Sequence, residues 1–208
     1  MDKKRIKRYD ALPKETEPYQ AVIGVDIGGG KSKDAIAVIQ YHKHERKAWT
    51  AEEKEYDTEG EDIETLAVNI KYFYEKYKPN AVVIDTGGVG NRIAGVLSQR
   101  YGIPQVIPAI KVDKMSWLET MKAEAQRGRL LFKKNSLLME EADQIIYSED
   151  KTKVDDENGL HSDILDAVLY AFRFVYNEYP EERPKEKSYK EKRIEEIMRS
   201  RKKTSLGY

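Results

Sequence analysis

The chain has 208 residues, no cysteine and three histidines, and its 37 Lys/Arg balance its 37 Asp/Glu. That composition excludes disulfides, a thiol nucleophile and cysteine-ligated zinc, and it argues against a histidine-rich metal centre. The length fits one domain with appendages, the lack of cysteine fits a reducing cytoplasm, no apolar run is long enough to span a bilayer, and no signal-peptide pattern opens the chain. The charge is unevenly spread: residues 1–10 carry net +3, residues 181–208 net +4, and the body between them is acidic by about 7 charges.

In chain order, residues 1–19 read as a basic arm closed by Pro13 and Pro18. "AVIGVDI" (21–27) is a continuous apolar run, the pattern of a strand buried on both faces. "DAIAVIQYH" (34–42) and "KAWTAEEKEYD" (47–57) follow after short links, which predicts antiparallel hairpins. Ile63, Leu66, Ile70, Phe73 and Tyr77 fall at helical spacing and predict a helix over 62–77. "AVVIDT" (81–86) is another buried strand, 90–102 a helix ended by Gly102, and "PQVIPAI" (104–110) a fifth strand. Beyond it come a helix over 114–128 stopped by Gly128, a short extended piece over 129–134, and a helix over 136–148. A polar loop (151–159) then leads into a long apolar-striped helix over 160–179. Pro180 and Pro184 end the compact part, giving an arm (1–19), a domain (20–180) and a charged tail (181–208) that reads as helical or disordered. Trp49 and Trp117 read as packing residues. The order predicts an α/β domain with a mixed five-stranded sheet, three antiparallel strands and then parallel ones, flanked by helices. In this it resembles an RNase H-like domain.

Carboxylates stand at three places where a soluble fold does not need them. Asp26 lies among Ile23, Val25 and Ile27, Asp85 ends "AVVID", and Asp163 and Asp166 open the last helix. Charged groups are rarely buried unless paired or bound to a metal. Residues three apart share a helix face, so Asp163 and Asp166 point the same way. If that helix crosses the first and fourth strands, the four carboxylates converge and raise one another's pKa. Oxygen-only donors in that arrangement suit two Mg²⁺ or Mn²⁺ ions. Singly, Asp85 reads as a turn residue and Asp163 as an acid favoured by the helix dipole; Asp26, inside an apolar strand, is harder to explain structurally.

Four segments in order resemble the nuclease domain of the large terminase subunit of tailed bacteriophages. They are "GVDIGGGKSKDAIAVI" with Asp26, "VVIDTGGVGNRIAGVL" with Asp85, "GRLLFKK", and "HSDILDAVLYA" with Asp163 and Asp166, within residues 20–178. The resemblance implies an RNase H-like fold and metal-dependent cleavage of concatemeric viral DNA in the host bacterial cytoplasm. It also implies double-stranded DNA, a portal protein, a small terminase subunit and a packaging ATPase domain as partners. No G-x-x-x-x-G-K-[ST] loop is present and the length leaves no room for that ATPase, so an excised domain or a stand-alone relative is expected. "HSD" stands where many relatives carry two acids in a row, which leaves open which of Asp163 and Asp166 is a ligand; His161 reads as a loop or cap residue.

Two rival readings remain at this level. A Holliday-junction resolvase shares the strand aspartates and a helical D-x-x-D. A sugar kinase or actin-like lobe would use Gly28, Gly29 and Gly30 as a phosphate loop, but it needs a second lobe and leaves the acidic pair unexplained. DNA is expected to approach along basic residues: Lys31, Lys33, Arg92 and Lys114 first, then Lys111, Arg127, Arg129, Lys133 and Lys134.

Overall fold

The structure is a computed structural model; it describes residues 8–9, 19–28, 32–57, 63–133, 135–147, 154–156 and 162–180. Most of the arm, all of the tail, and Gly29, Gly30, Lys31, Lys134 and His161 lie outside the described residues.

The elements in chain order are β1 (Arg8–Tyr9), β2 (Gln20–Asp26), β3 (Asp34–His42), β4 (Lys47–Tyr56), α1 (Ile63–Tyr77), β5 (Ala81–Ile84), α2 (Gly90–Gln99) and β6 (Val106–Pro108). Then follow α3 (Lys114–Gln126), β7 (Leu130–Lys133), α4 (Leu137–Gln144), β8 (Ile145–Tyr147), β9 (Val154–Asp156) and α5 (Asp163–Glu178). The five predicted strands are contiguous in the sheet: β2 to β4 pair antiparallel, β5 adds parallel to β2, and β6 adds parallel to β5. The sheet is wider than predicted. The extended piece over 129–134 is β7, parallel to β4, and Arg8–Tyr9 of the arm adds parallel to β7, giving the order β1-β7-β4-β3-β2-β5-β6.

A second difference lies between α4 and α5. The predicted helix over 136–148 stops at Gln144, and Ile145–Tyr147 pairs antiparallel with Val154–Asp156 inside the predicted loop. "IIY" favours a strand once a partner is available, because β-branched and aromatic residues fit a pleated surface.

Alternation along the strands separates two cores. Ile23, Val25, Ile36, Val38, Val82 and Ile84 face α1 and α2. Val22, Ala35, Ala37, Ile39 and Val83 face α5, with α3 and α4 beside it. Successive strand side chains point to opposite faces, so Gly24 and Asp26 share the α5 face with Val22, and Asp85 shares it with Val83.

The α5 side is built for close approach. A Cβ on Gly24 would stand 1.9 Å from the Ala167 carbonyl oxygen and 3.0 Å from the Ala171 nitrogen. Ala35 and Ala37 beside it are fully buried. Small residues on both elements let the helix axis settle onto the strands. Gly24→Ala should therefore lower the unfolding free energy by roughly 2–3 kcal/mol, the cost of overpacking against backbone that cannot yield. Urea denaturation would read this; an unchanged midpoint would show that the helix does not seat on β2 as described.

Candidate functional site

Asp26 is the last residue of β2 and Asp85 follows the last residue of β5. The parallel register pairs Val25 with Ile84, which sets the two aspartates side by side at the carboxyl ends of neighbouring strands. The Asp85 N–H donates to the Val25 carbonyl at 3.0 Å and extends the ladder by one residue. Helix α5 opens directly above with Asp163 and Asp166 in its first turn. Such acids complement the positive end of the helix dipole.

An open cleft of about 310 Å³ lies at this junction, lined by Asp26, Asp85, Asp166, Lys111, Lys114, Tyr170 and Arg173, with Ile27, Ile110 and Leu169. Asp163 is not in its lining. It is buried at the edge, where its Oδ2 accepts the Lys33 N–H at 3.0 Å. The two acids of α5 thus divide: Asp166 faces the cleft, and Asp163 ties the helix to the link between β2 and β3.

Each carboxylate has named neighbours. Asp85 Oδ1 accepts the Gly87 N–H at 2.8 Å and its Oδ2 accepts from Lys111 Nζ at 2.5 Å. Asp166 receives Lys114 Nζ at 2.7 Å on Oδ1 and 2.9 Å on Oδ2. Asp26 Oδ1 accepts the Tyr170 hydroxyl at 3.2 Å. Burial, followed by Asp166, Asp163 and Asp85, pushes the Asp26 carboxyl up from 3.8 to about 7, against a lowering contribution from the Tyr170 hydroxyl. Burial, followed by Asp26, Asp166 and Asp85, holds the Tyr170 phenol protonated, so it stays a donor. Among the described residues, no three histidine or acidic side chains already form a metal-binding group.

The link after β2 has a backbone reason for its first glycine. A Cβ on Gly28 would stand 2.0 Å from the Ser32 carbonyl oxygen, and the Gly28 N–H donates to the buried Asp34 at 3.0 Å. Gly28 therefore serves a tight loop and does not line the cleft.

Of the basic residues expected to meet DNA, Lys114 lines the cleft. Lys33 stands beside it, but its ammonium pairs with Glu55 at 2.7 Å, and that hydrogen bond is the main cause raising its pKa. Arg92 is exposed on α2, in the layer across the sheet from α5, and does not line the cleft. Lys31 is outside the described residues.

Three contributors were not singled out from sequence. Tyr170 stands four residues after Asp166, and that same-face spacing was a usable signal. Arg173 Nη1 donates to the Ile110 and Val112 carbonyls at 2.7 Å each and braces the segment that carries Lys111. Glu141 on α4 accepts the Ile164 and Leu165 N–H groups at 2.9 and 2.7 Å. It caps α5 from another helix, and no local pattern announces such a partner. Burial pushes its carboxyl up to about 8, opposed by those two N–H groups and reinforced by Glu55 and Asp163.

The fold and site define a class: an RNase H-like α/β domain with carboxylates from two central strands and a crossing helix on one cleft. The chain belongs to the terminase RNaseH-like domain family, whose model matches residues 23–173. The solved large terminase nuclease of thermophilic phage G20c with bound magnesium superposes with a TM-score of 0.64 at 18% identity, covering 82% of this chain and 93% of that one. The nuclease domain of g2p, the large terminase of bacteriophage SPP1, with bound manganese gives 0.52 at 17% identity, covering 74% and 86%. The large terminase of a second thermophilic bacteriophage gives 0.62 at 17% identity; 82% of this chain is covered, and it spans 43% of that longer protein. At these identities the likeness to solved structures is one of fold. No curated protein sequence matches the chain.

The raised Asp26 carboxyl has a measurable consequence. Its folded pKa lies above its unfolded one, so its stabilising contribution is complete below about pH 4 and is lost as pH rises through about 7. In a chelator, Asp26→Asn should therefore match the parent near pH 4 and exceed its stability at pH 8 by up to about 4 kcal/mol. Thermal or urea melts across that range would measure it; an advantage independent of pH would rule out a carboxyl raised by burial and neighbouring acids.

Proposed function

We propose that the chain is a metal-dependent endodeoxyribonuclease, the nuclease domain of a terminase large subunit, which cleaves concatemeric viral DNA during genome packaging. The observation that carries this reading is the meeting of Asp26, Asp85 and Asp166 on one cleft in a chain of the terminase RNaseH-like family.

The donor set fits hard divalent cations. Every candidate ligand is a carboxylate oxygen, and the acids around Asp26 repel a further negative charge. In this reading Asp26, Asp85 and Asp166 hold Mg²⁺ or Mn²⁺, two ions in all, with Asp163 as the fourth catalytic acid at the edge. Such ions, when bound, activate a water and stabilise the leaving oxygen of a phosphodiester. The chain's own groups orient the acids: Gly87 N–H steers Asp85, Tyr170 hydroxyl steers Asp26, and Lys33 N–H holds Asp163. Lys114, Lys33, Lys31 and Arg92 contact the phosphates of double-stranded DNA, a sequence-independent source of affinity. The magnesium and manganese in the G20c and SPP1 nuclease structures support the choice of ion. By the same family relation, the partners are a portal protein, a small terminase subunit and a packaging ATPase domain, in the host bacterial cytoplasm. No described helix is long and apolar enough to cross a membrane.

Supercoiled plasmid should be nicked and degraded in Mn²⁺ or Mg²⁺ and left intact in EDTA. Asp85→Asn should lose at least about 100-fold in rate, since even outer-shell changes at metal sites cost 10–100-fold. Parent-like cutting by that variant would remove Asp85 from the site. A binding measurement checks the same reading separately: Mn²⁺ at 100 times its Kd should stabilise the folded chain by about 2.7 kcal/mol. A melting temperature unmoved by millimolar Mn²⁺ would count against the carboxylate site.

A further inference from the structure

Two cleft carboxylates are neutralised by lysines from a single short segment. Lys111 Nζ lies 2.5 Å from Asp85 Oδ2, and Lys114 Nζ lies 2.7 Å from Asp166 Oδ1. Asp85 and Asp166 are the acids that the proposed function assigns to divalent ions. An ammonium and a divalent cation are alternative neutralisers of one oxygen, so the two lysines contest the metal's place.

The segment is made for exchange at its side chains and for rigidity in its backbone. Arg173 donates to the carbonyls on both sides of Lys111, and its guanidinium lies 4.7 Å from the centre of the Trp117 ring. Lysine carries its charge on a flexible four-carbon stem. The Lys111 side chain is 57% exposed and that of Lys114 34%, against 11% for Asp85 and 20% for Asp166. A pair with so exposed a partner as Lys111 is weak. The ammonium groups can leave their acids without any movement of the braced chain, and both remain on the cleft wall.

We propose that Lys111 and Lys114 are exchangeable counter-ions: they occupy Asp85 and Asp166 until divalent metal displaces them, and once displaced they bind the phosphates of the incoming DNA. The inference rests on the nuclease reading. It makes metal and DNA binding mutually reinforcing, because linkage between two binding events is reciprocal. It also names Lys111, which sequence placed among the lesser DNA candidates, as an equal partner of Lys114.

The test uses the full chain and calorimetric titration with Mn²⁺. The double variant Lys111→Met/Lys114→Met should bind Mn²⁺ about fivefold or more tighter than the parent. The charge-retaining double variant Lys111→Arg/Lys114→Arg should return toward the parent value. Lys71→Met, which removes a lysine paired with Glu75 on the far layer, should leave it unchanged. With Ca²⁺ as a second hard divalent probe, the parent's affinity for a short blunt duplex should rise about fivefold or more, and the Met double variant should keep less than about twofold of that gain. Mn²⁺ binding no tighter in the Met double variant, or a Ca²⁺-dependent gain that survives in it, would overturn the exchange while leaving the nuclease reading standing. A parent chain that binds no Mn²⁺ would overturn both.

Discussion

Everything at the cleft depends on how closely α5 can lie on β2. Gly24 leaves room for the Ala167 carbonyl, and Ala35 and Ala37 keep the neighbouring strand low. The same strand face carries Asp26 two residues after Gly24, and the same helix carries Asp163 and Asp166 one turn and less before Ala167. Close packing and convergence of charge are therefore one geometric event. A bulkier residue at Gly24 would lift the helix and draw Asp166 away from Asp26 even if the fold survived.

That convergence sets up an electrostatic problem, and the surrounding structure solves it without removing the acids. Burial already disfavours charge on Asp26, and three neighbouring carboxylates add to the effect. The fold answers with directional donors: Tyr170 on Asp26, Gly87 on Asp85, Lys33 on Asp163. It also places an acid where the helix itself needs one. Glu141 accepts the Ile164 and Leu165 N–H groups, which an isolated helix leaves without partners at its start. These contacts anchor the first turn of α5, the turn that aims Asp166.

Sequence made the strand acids legible because each breaks a rule of its surroundings. A charge inside "VIGVDIG" has no place in an ordinary buried strand, and Asp85 gains meaning from its match to the family's second segment. The five predicted strands were legible from apolar runs and short links. The sheet membership of β1 and β7 was not: they are two and four residues long, β7 read only as an extended piece, and their pairing is decided by what lies next to them. The β8–β9 pair was hidden because "QIIY" continues the apolar pattern of α4. The division of labour between Asp163 and Asp166 was beyond spacing alone. Three-residue spacing sets both on one face, and a tertiary partner, the Lys33 N–H, holds one of them at the edge.

The glycines after Asp26 show why a local motif underdetermines chemistry. A strand, an aspartate and glycines suit a phosphate loop as well as a metal strand. Gly28 is explained by the Ser32 carbonyl in its own loop and by Asp34 where β3 begins, so it requires no ligand to account for it. Asp26 is different: among the described residues its side chain accepts a hydrogen bond from Tyr170, 144 residues away, and faces the acids that follow β5 and open α5. A residue whose neighbours all come from distant chain segments reports on the assembled site, whereas one satisfied within its own loop reports on the turn. By that criterion the chemistry belongs to the aspartate, and the first glycine belongs to the fold.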